Sequence, residues 1–439
     1  MNKLFNKKEW IGEFFLPDKY ESRFPGKIIY SPVSGVILEY NITITEQHEI
    51  PDESDVLYGM LDNGKKCTLI GTFSPQHSGM RGFNTRFGKN EFIHLVIGDF
   101  VQKGELFYEV NFSLTNMQEF FFPNGFKDLV KFTETPLFSL KTPYGEIEVI
   151  QNATFTSLQI SSQIYSHNKS AINELEACFS EIKSRHPHCC FMLKKDIAYY
   201  FRMKINDGAT IRNIFKFIND IANLFAILTY NPVCLDSINI FKKVIDEHPI
   251  PIEIYPTMLL EQRTIDLCTK DKSHFNMPIK NINIDLSAVL TSWINSPKDY
   301  STIVTSIQHE TGFRDEHSIH GEILLFATQL ESISYNQKVS KINRYEYPIE
   351  RYASEKVKSN IRKIFSKIGE NKLGKGIGDL RNEIAHIGKP RKILLSFSLM
   401  DMVDIGQILQ MIIIGYILED IGITKELINE YQNKFTPEV

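Results

Sequence analysis

Apolar and polar residues alternate in short runs through roughly the first 165 residues. Runs rich in Ile, Val, Thr, Tyr and Phe are separated by Gly, Pro, Asn and Asp, a pattern typical of β-strands joined by turns. The clearest predicted strands are residues 36–44, 56–61, 67–73, 92–98, 106–114 and 146–160. Asp62-Asn63-Gly64 predicts a hairpin turn, because Asn and Gly tolerate positive φ angles. We therefore expect an antiparallel sandwich or barrel without a long helix.

The pattern changes after residue 165. Residues 171–183 and 210–228 have the apolar spacing of amphipathic helices and flank a predicted strand at 197–205. Residues 248–256 must be extended or looped, because their prolines lack the backbone donor that a helix requires. This stretch is predicted to be a mixed α/β extension, residues 166–282, of the β-rich part at 1–165.

The last third has helical periodicity, in residues 286–294, 321–337 and 354–368. In residues 321–337 the apolar positions form one stripe: Ile323, Phe326, Ala327, Leu330 and Ile333. Ser398 is a suitable N-cap for a helix that runs to about residue 419. Its expected buried face includes Leu399, Met402, Leu409, Ile412 and Tyr416. The predicted fold class is α+β, with an N-terminal domain at 1–282 and an all-helical domain at 283–439.

Composition adds few constraints on function. With 42% hydrophobic and 23% charged residues, the chain has the composition of an ordinary globular protein. The most apolar run, residues 405–418, contains Gln407 and Gln410 and is shorter than the roughly 20 residues that span a membrane. The N-terminus lacks the apolar segment of a secretion signal, and the six cysteines show no regular framework. We expect a cytoplasmic protein with reduced thiols and no membrane partner.

Positive charge is concentrated near the C-terminus. Residues 338–392 contain 15 Lys/Arg and six Asp/Glu, a surplus of +9 in a chain whose net charge is −4. Such a block can be a solvated helical face, or it can bind a polyanion. Lys372, Lys375, Lys389, Arg391 and Lys392 are the candidates for contacts with a nucleic-acid backbone.

Inside this block lies Arg381-Asn382-Glu-Ile-Ala-His386. An arginine can hold a phosphate, and a histidine can take up or release a proton near neutral pH. These are the groups that metal-free RNA cleavage needs, with Asn382 placed to orient the histidine or the substrate. We therefore predict a catalytic set of Arg381, Asn382 and His386, without a metal or another cofactor.

The glycines at 374, 376 and 378 predict a flexible approach to Asp379, a good N-cap for a short helix. Gly388 and Pro390 predict that this helix stops just after His386, which would lie in its last turn. Asn382 and His386 would then share one face, whereas Arg381 lies about 140° around the helix from His386. The angular offset indicates a site completed by a second copy of the chain.

Other interpretations of these residues remain open. His386 can be a helix-terminal cap, and Arg381 can form an ordinary ion pair with Glu383 or Glu331. A second pair with similar spacing, Arg314 and His320, lacks the basic surroundings and indicates a loop and the start of a helix.

A separate cluster has side chains that can bind metals: His186, His188, Cys189 and Cys190. Its spacing is too compressed for a typical zinc site, and a structural turn before a buried strand is the alternative.

Two segments resemble known families. LRNEIAH followed by GKP, together with QLESIS upstream, is similar to the HEPN domains of bacterial ribonuclease toxins and defence proteins. WIGEFFLPD, RFPGKIIYSPVSGVILE and YGMLDNGKKCTLIG resemble the N-terminal domain of ApeA-type abortive-infection proteins, which carry a HEPN domain after it. The two resemblances occur here in the same order.

The resemblance implies an anti-phage defence protein. Its N-terminal domain would sense infection, with a phage protein as one candidate trigger, and its HEPN domain would cut cellular RNA, with tRNA as one candidate. It also implies a metal-independent endoribonuclease that acts as a homodimer or higher homo-oligomer through the HEPN domain. The alternative is a non-catalytic HEPN module that binds nucleic acid or a protein.

Overall fold

In the computed structural model, residues 4–43, 52–75, 85–121, 135–157, 168–188, 192–242, 250–269, 276–300, 304, 316–386 and 391–438 are described. Within these ranges, thirteen strands form one antiparallel sheet with the order β6-β3-β2-β1-β4-β5-β7-β13-β12-β8-β11-β10-β9. The strands are β1 (Lys8–Phe15), β2 (Phe24–Ser31), β3 (Gly35–Thr43), β4 (Ser54–Leu61), β5 (Lys66–Phe73), β6 (Thr85–Phe92), β7 (His94–Ile97), β8 (Phe107–Leu114), β9 (Phe138–Thr142), β10 (Gly145–Ser157), β11 (Met192–Ala209), β12 (Leu235–Phe241) and β13 (Ile252–Pro256).

The first half of this sheet closes into a ring. β6 and β7 are separated by Ile93 alone; β6 pairs with β3, and β7 pairs with β5. Because β2, β1 and β4 join β3 to β5, and β6 continues into β7, the strands curl into a barrel-like ring. The Ile93 N–H donates to the Ile70 carbonyl at 2.8 Å where the ring closes. Aromatic side chains fill the core, and Phe24 stacks on Phe73 with ring centroids 5.6 Å apart.

Apart from the segment at 92–98, the expected strands form, with changes at their ends; residue 44 of the first lies outside the described residues. The predicted strand at 92–98 is divided at Ile93 into the end of β6 and the whole of β7, so this single strand was a wrong prediction. The predicted turn joins β4 to β5, where Gly64 has φ +76° and the Asn63 carboxamide oxygen accepts from the Lys65 N–H at 3.0 Å. Residues 158–160 lie outside the described residues.

Five helices accompany the sheet in the described part of the N-terminal half: α1 (Met117–Phe121), α2 (Lys169–Arg185), α3 (Ile211–Thr229), α4 (Gln262–Thr269) and α5 (Leu286–Asn295). The helix predicted at 171–183 is α2, but none of its residues is buried, so its apolar positions cover no core. The helix predicted at 210–228 is α3. Thr210 caps it by accepting from the Asn213 N–H, and its apolar face is buried.

The C-terminal third is a helical bundle, as the periodicity predicts. Its helices in the described residues are α6 (Glu316–Asn336), α7 (Glu346–Tyr352), α8 (Glu355–Ser366), α9 (Leu373–Ala385), α10 (Leu399–Asp420) and α11 (Lys425–Phe435). The five predicted stripe residues of α6 are each at most 5% exposed. Together with the antiparallel sheet, this bundle confirms the α+β fold class.

The central helix of the bundle is α10, and it starts where the sequence predicts. Ser398 accepts from the Asp401 N–H, and Asp401 accepts from the Ser398 N–H, which is a capping box. Four of the five predicted face residues are buried, but Leu399 is 55% exposed because the first turn projects beyond the bundle. α10 is long and apolar enough to cross a membrane, and 78% of its apolar window is buried inside the structure, as in a core helix.

Contacts tie the bundle to the N-terminal half. Tyr230, which ends α3 in the left-handed conformation, donates its hydroxyl hydrogen to the Gln410 side chain of α10 at 2.9 Å. The Tyr431 hydroxyl of α11 donates to the Ile227 carbonyl of α3 at 2.7 Å. Asp420 at the end of α10 accepts from Lys298 and Tyr300, each at 2.5 Å. The middle of α10 and its C-terminal end are thereby held by side chains from outside the helix.

The helix α9 lies unusually close to its neighbours. A Cβ atom at Gly376 would lie 2.6 Å from the Phe365 ring of α8, and one at Gly378 would lie 3.1 Å from the Tyr345 ring. α9 begins at Leu373, with Lys372 at the N-cap position, so Asp379 lies inside the helix. The predictions of a flexible glycine segment before the helix and of an N-cap at Asp379 are therefore wrong. These glycines serve close packing instead.

Two alanine substitutions in α9 test this packing. Gly376→Ala should destabilise the protein by about 1–3 kcal/mol, because its methyl group overlaps the Phe365 ring. Gly374→Ala places its methyl group 3.4 Å from the Glu346 side chain and should stabilise by up to about 1 kcal/mol through helix propensity. Thermal unfolding of the two full-length variants gives the comparison, and shifts of the same sign would contradict it.

Candidate active site on α9

One face of α9 carries a row of polar side chains. Lys375, Asp379, Asn382 and His386 are spaced by four, three and four residues, which places them along one side of a helix. The opposite side of the helix is buried through Leu373, Ile377 and Leu380. The apolar residues therefore fix the helix, and the polar row faces outward.

His386 lies at the end of this row. It is the C-cap residue of α9, with extended backbone angles and an exposed side chain, so it lies one position beyond the predicted last turn. Its N–H still donates to the Asn382 carbonyl at 3.1 Å.

Arg381 is partly buried beside the same helix. Its Nη1 donates to the Asn382 side-chain oxygen at 3.2 Å, and its Nε is buried without a hydrogen-bond partner among the described residues. The fully buried Tyr345 ring lies close by, against Gly378. Burial raises the pKa of the Tyr345 phenol, and the charges of Arg344 and Arg381 oppose that rise.

The alternative ion pairs of Arg381 are not formed among the described residues. Glu331 binds Arg344 at 2.5 Å and accepts from the Tyr345 hydroxyl at 3.4 Å. The Glu383 carboxylate is 8% exposed and accepts from the Ile393 and Leu394 N–H groups at 3.2 and 2.9 Å. The carboxylates of Glu331 and Glu383 are thus both occupied by other groups of the protein. The charge of Arg381 stays available for an anion.

Asn382 links the other two residues of the motif. Its side-chain oxygen accepts from Arg381, and its backbone oxygen accepts from the His386 N–H. The structure therefore joins the side chains of Arg381 and Asn382, whereas His386 is connected to them through the helix backbone alone among the described contacts. The imidazole and the guanidinium nevertheless leave the helix on different sides.

A cleft of about 390 Å³ opens beside Asn382. Its walls come from α9, from the end of α8 and from the segment before α10. They are lined by Ile368, Gly369, Glu370, Lys375, Asp379, Asn382, Glu383, Lys392 and Ile393. The cleft and the exposed imidazole of His386 lie on the same face of α9.

The predicted RNA contacts are in different environments. Lys372, Arg391 and Lys392 are exposed and pair with no carboxylate among the described residues. Lys375 binds Glu370 at 3.0 Å, and this hydrogen bond raises the pKa of Lys375. Lys389 lies outside the described residues.

The surplus of +9 in residues 338–392 overstates the free positive charge. Three of its basic residues pair with acids from outside the block: Arg344 with Glu331, Arg351 with Glu419 and Lys367 with Asp401. Much of the block is therefore an ordinary solvated surface of paired charges. Three basic residues without a carboxylate partner among the described residues, Lys372, Arg391 and Lys392, flank α9.

The remaining candidate residues form no site within the described chain. His320 lies partly buried in α6, and Arg314 lies outside the described residues. His186 and His188 are exposed at the end of α2, whereas Cys189 and Cys190 lie outside the described residues. Among the residues that the structure describes, no group of three or more His, Cys, Asp or Glu is arranged to hold a metal ion.

Two features of the site were not predicted. Tyr345 supports α9 at Gly378, and Asp379 lines the cleft rather than capping the helix. For Asp379 the sequence contains a signal, since it precedes Asn382 by three residues and must share its face of a longer helix. For Tyr345 the sequence contains no such signal, because its contact with Gly378 joins residues that are 33 positions apart.

Two family models match the chain. The model described as ApeA N-terminal domain 1 matches residues 9–293, about two thirds of the chain. The model described as Apea-like HEPN matches residues 318–427, a range that contains Arg381, Asn382 and His386. No curated protein and no solved structure matches the chain. The two resemblances noted in the sequence are confirmed, while the domain boundary at residue 282 stays a prediction.

Proposed function

The chain belongs to the ApeA family of anti-phage defence proteins, and we propose that it is a metal-independent endoribonuclease with its site at Arg381, Asn382 and His386. The HEPN domain is generally a ribonuclease fold. The observation that carries the proposal is the Arg381 guanidinium, which is held by the Asn382 side chain on the helix that ends at the exposed His386 and has no carboxylate partner among the described residues.

The chemistry follows from these side chains. The ribose 2′-oxygen attacks the neighbouring phosphorus while the bond from phosphorus to the 5′-oxygen breaks. A neutral imidazole can take the proton from the 2′-hydroxyl, and a protonated one can supply the proton to the leaving 5′-oxygen. Arg381 would bind the phosphate and stabilise the charge that develops on its oxygens. Asn382 would hold the guanidinium and orient the substrate.

Unpaired basic residues would bind the RNA on either side of the cut. Arg391 and Lys392 lie next to the cleft, and Lys372 lies about 20 Å from His386 at the far end of α9. We include Lys375 and Lys389 among the backbone contacts that the sequence predicts. These contacts recognise phosphates and carry no base information. The sequence of the RNA must therefore be read elsewhere.

The N-terminal domain would sense infection and pass the signal to the helical bundle, with a phage protein as one candidate trigger. The support is the contact of Tyr230 with Gln410 in the middle of α10. α10 begins at Leu399, a few residues after the segment that lines the cleft. A change at the N-terminal domain could thus reach the site through one rigid helix. The protein would act on cellular RNA in the cytoplasm.

The first prediction concerns the motif. Arg381→Ala and His386→Ala should each reduce cleavage of total cellular RNA by at least about 100-fold, since each removes charge stabilisation or proton transfer. The unfolding midpoint should change little, because His386 is exposed and Arg381 has no ion pair among the described residues. Arg314→Ala and His320→Ala are the matched controls and should keep activity. Loss of activity in the control pair alone would identify a different motif.

The second prediction concerns the reaction. Cleavage should persist in excess EDTA and leave a 2′,3′-cyclic phosphate, or the 3′-phosphate formed from it, with a 5′-hydroxyl on the other fragment. Mass spectrometry of a cleaved oligonucleotide identifies the ends. A 3′-hydroxyl product, or activity that EDTA removes and magnesium restores, would refute the mechanism. RNA binding without cleavage would favour the non-catalytic alternative.

The third prediction concerns assembly. The apolar residues 408–418 of α10 are buried inside the bundle and offer no surface for a dimer. Large apolar side chains are instead exposed beside the site: Leu395 (80%), Leu399 (55%) and Met400 (66%). We propose that this patch pairs with its copy in a homodimer and brings two sets of Arg381 and His386 together.

Leu399→Asp combined with Met400→Asp should therefore dissociate the dimer and reduce cleavage by more than tenfold. Ile282→Asp, at an equally exposed position (69%) just before α5, is the matched control and should remain a dimer. Sedimentation at two protein concentrations gives the mass, and the cleavage assay is run on the same samples. A wild-type monomer with full activity would contradict the assembly.

A further inference from the structure

The cleft beside Asn382 contains a carboxylate that the proposed chemistry does not use. Asp379 lines it, and no hydrogen bond or ion pair of Asp379 is formed within the described residues. The other two carboxylates of the cleft have partners: Glu370 binds Lys375 and the Lys372 N–H, and Glu383 binds two backbone N–H groups. Asp379 therefore remains the available acceptor on this wall.

Available donors lie next to it. The Asn382 side-chain oxygen is occupied by Arg381, so its NH₂ group is left to donate into the cleft. Asp379 and Asn382 are three residues apart on α9, which places their Cβ atoms about 5–6 Å from each other. Lys392 adds an exposed ammonium at the rim. The Asp379 carboxylate, an acceptor, and the Asn382 NH₂ group, a donor, thus lie next to each other on the cleft wall.

The rest of the cleft fits a flat, partly apolar group. Ile368 and Ile393 are half-buried and contribute apolar walls, and Gly369 adds no side chain. A volume of about 390 Å³ is within the range of pockets for small ligands. Glu370 is paired with Lys375, so Asp379 supplies the negative charge that opposes the entry of a phosphate, since like charges repel. A nucleobase satisfies these conditions, whereas a phosphate does not.

We propose that this cleft binds an unpaired guanine next to the cut, with Asp379 as the residue that determines specificity. This inference rests on the proposed ribonuclease function. Guanine presents two adjacent donors, N1–H and N2–H, beside one acceptor, O6, on its Watson–Crick edge. A carboxylate can accept both donors in parallel, and the Asn382 NH₂ group can donate to O6. Adenine, cytosine and uracil each lack two adjacent donors on that edge. The nucleotide must be unpaired, because a duplex hides this edge.

Binding to short RNAs tests the proposal without cleavage. The probes are 2′-O-methyl pentamers, which cannot be cut, with guanine, inosine, adenine, cytosine or uracil at the centre. Fluorescence anisotropy with the full-length protein should show the guanine pentamer binding about 5- to 150-fold tighter than the others. Inosine lacks the N2 amino group, loses one of the two parallel bonds, and should lie between guanine and adenine.

The variant Asp379→Asn should remove this preference, leaving less than a twofold difference among the pentamers. Glu426→Gln, which neutralises an exposed acid in the first turn of α11, is the matched control and should keep the preference. Equal binding of all pentamers by the wild-type protein would overturn the guanine site. A preference that persists in Asp379→Asn would overturn the role of this residue.

Cleavage of the same pentamers with ordinary ribose separates this inference from the proposed function. Cleavage without any base preference would leave the ribonuclease in place and reject the guanine site. Absence of cleavage, with guanine-selective binding that depends on Asp379, would keep the site and reject the ribonuclease. Cleavage next to guanine by the wild-type protein, with this base preference lost in Asp379→Asn, would support both the ribonuclease and the guanine site.

Discussion

The burial of α10 on nearly every side is the constraint on which the rest of the C-terminal structure depends. Residues 408–418 of this helix are all buried, so it can exist only where other helices and the α3 segment surround it. Its capping box fixes one end, and Lys298 and Tyr300 hold Asp420 at the other. Because α10 is held this way, the segment before it is fixed as well, and that segment forms one wall of the cleft.

The second constraint is the close packing of α9. Glycine at 376 and 378 lets Phe365 and Tyr345 touch the helix backbone, and interiors packed at this density transmit small displacements. The polar row of α9 is therefore rigidly oriented toward the cleft. Glu383, buried in the middle of the motif, joins α9 to the start of the next segment through two backbone N–H groups. The motif thus contains a structural residue as well as the proposed catalytic ones.

Charge pairing determines which basic residues remain for RNA. Glu331 binds Arg344, and Glu383 accepts from two backbone N–H groups, so neither of these acids neutralises Arg381. Exposed ion pairs of this kind contribute little to stability, and their main effect here is to select which cations stay unpaired. In the proposed guanine site, the charge of Asp379 both binds the base and opposes a phosphate within the cleft. A site that binds phosphate on one side and a base on the other needs both signs of charge.

The sequence by itself determined the features that depend on near neighbours along the chain. The strands, the turn at Gly64, the N-caps at Thr210 and Ser398 and the apolar stripe of α6 arise from local hydrogen bonds and periodicity. The motif and both family resemblances were likewise visible. The tertiary structure alone decided the start of α9, the roles of its glycines, the exposure of Leu399 and the partner of each carboxylate. These depend on side chains such as Phe365, Tyr345 and Arg344, whose distances to the site no local pattern encodes.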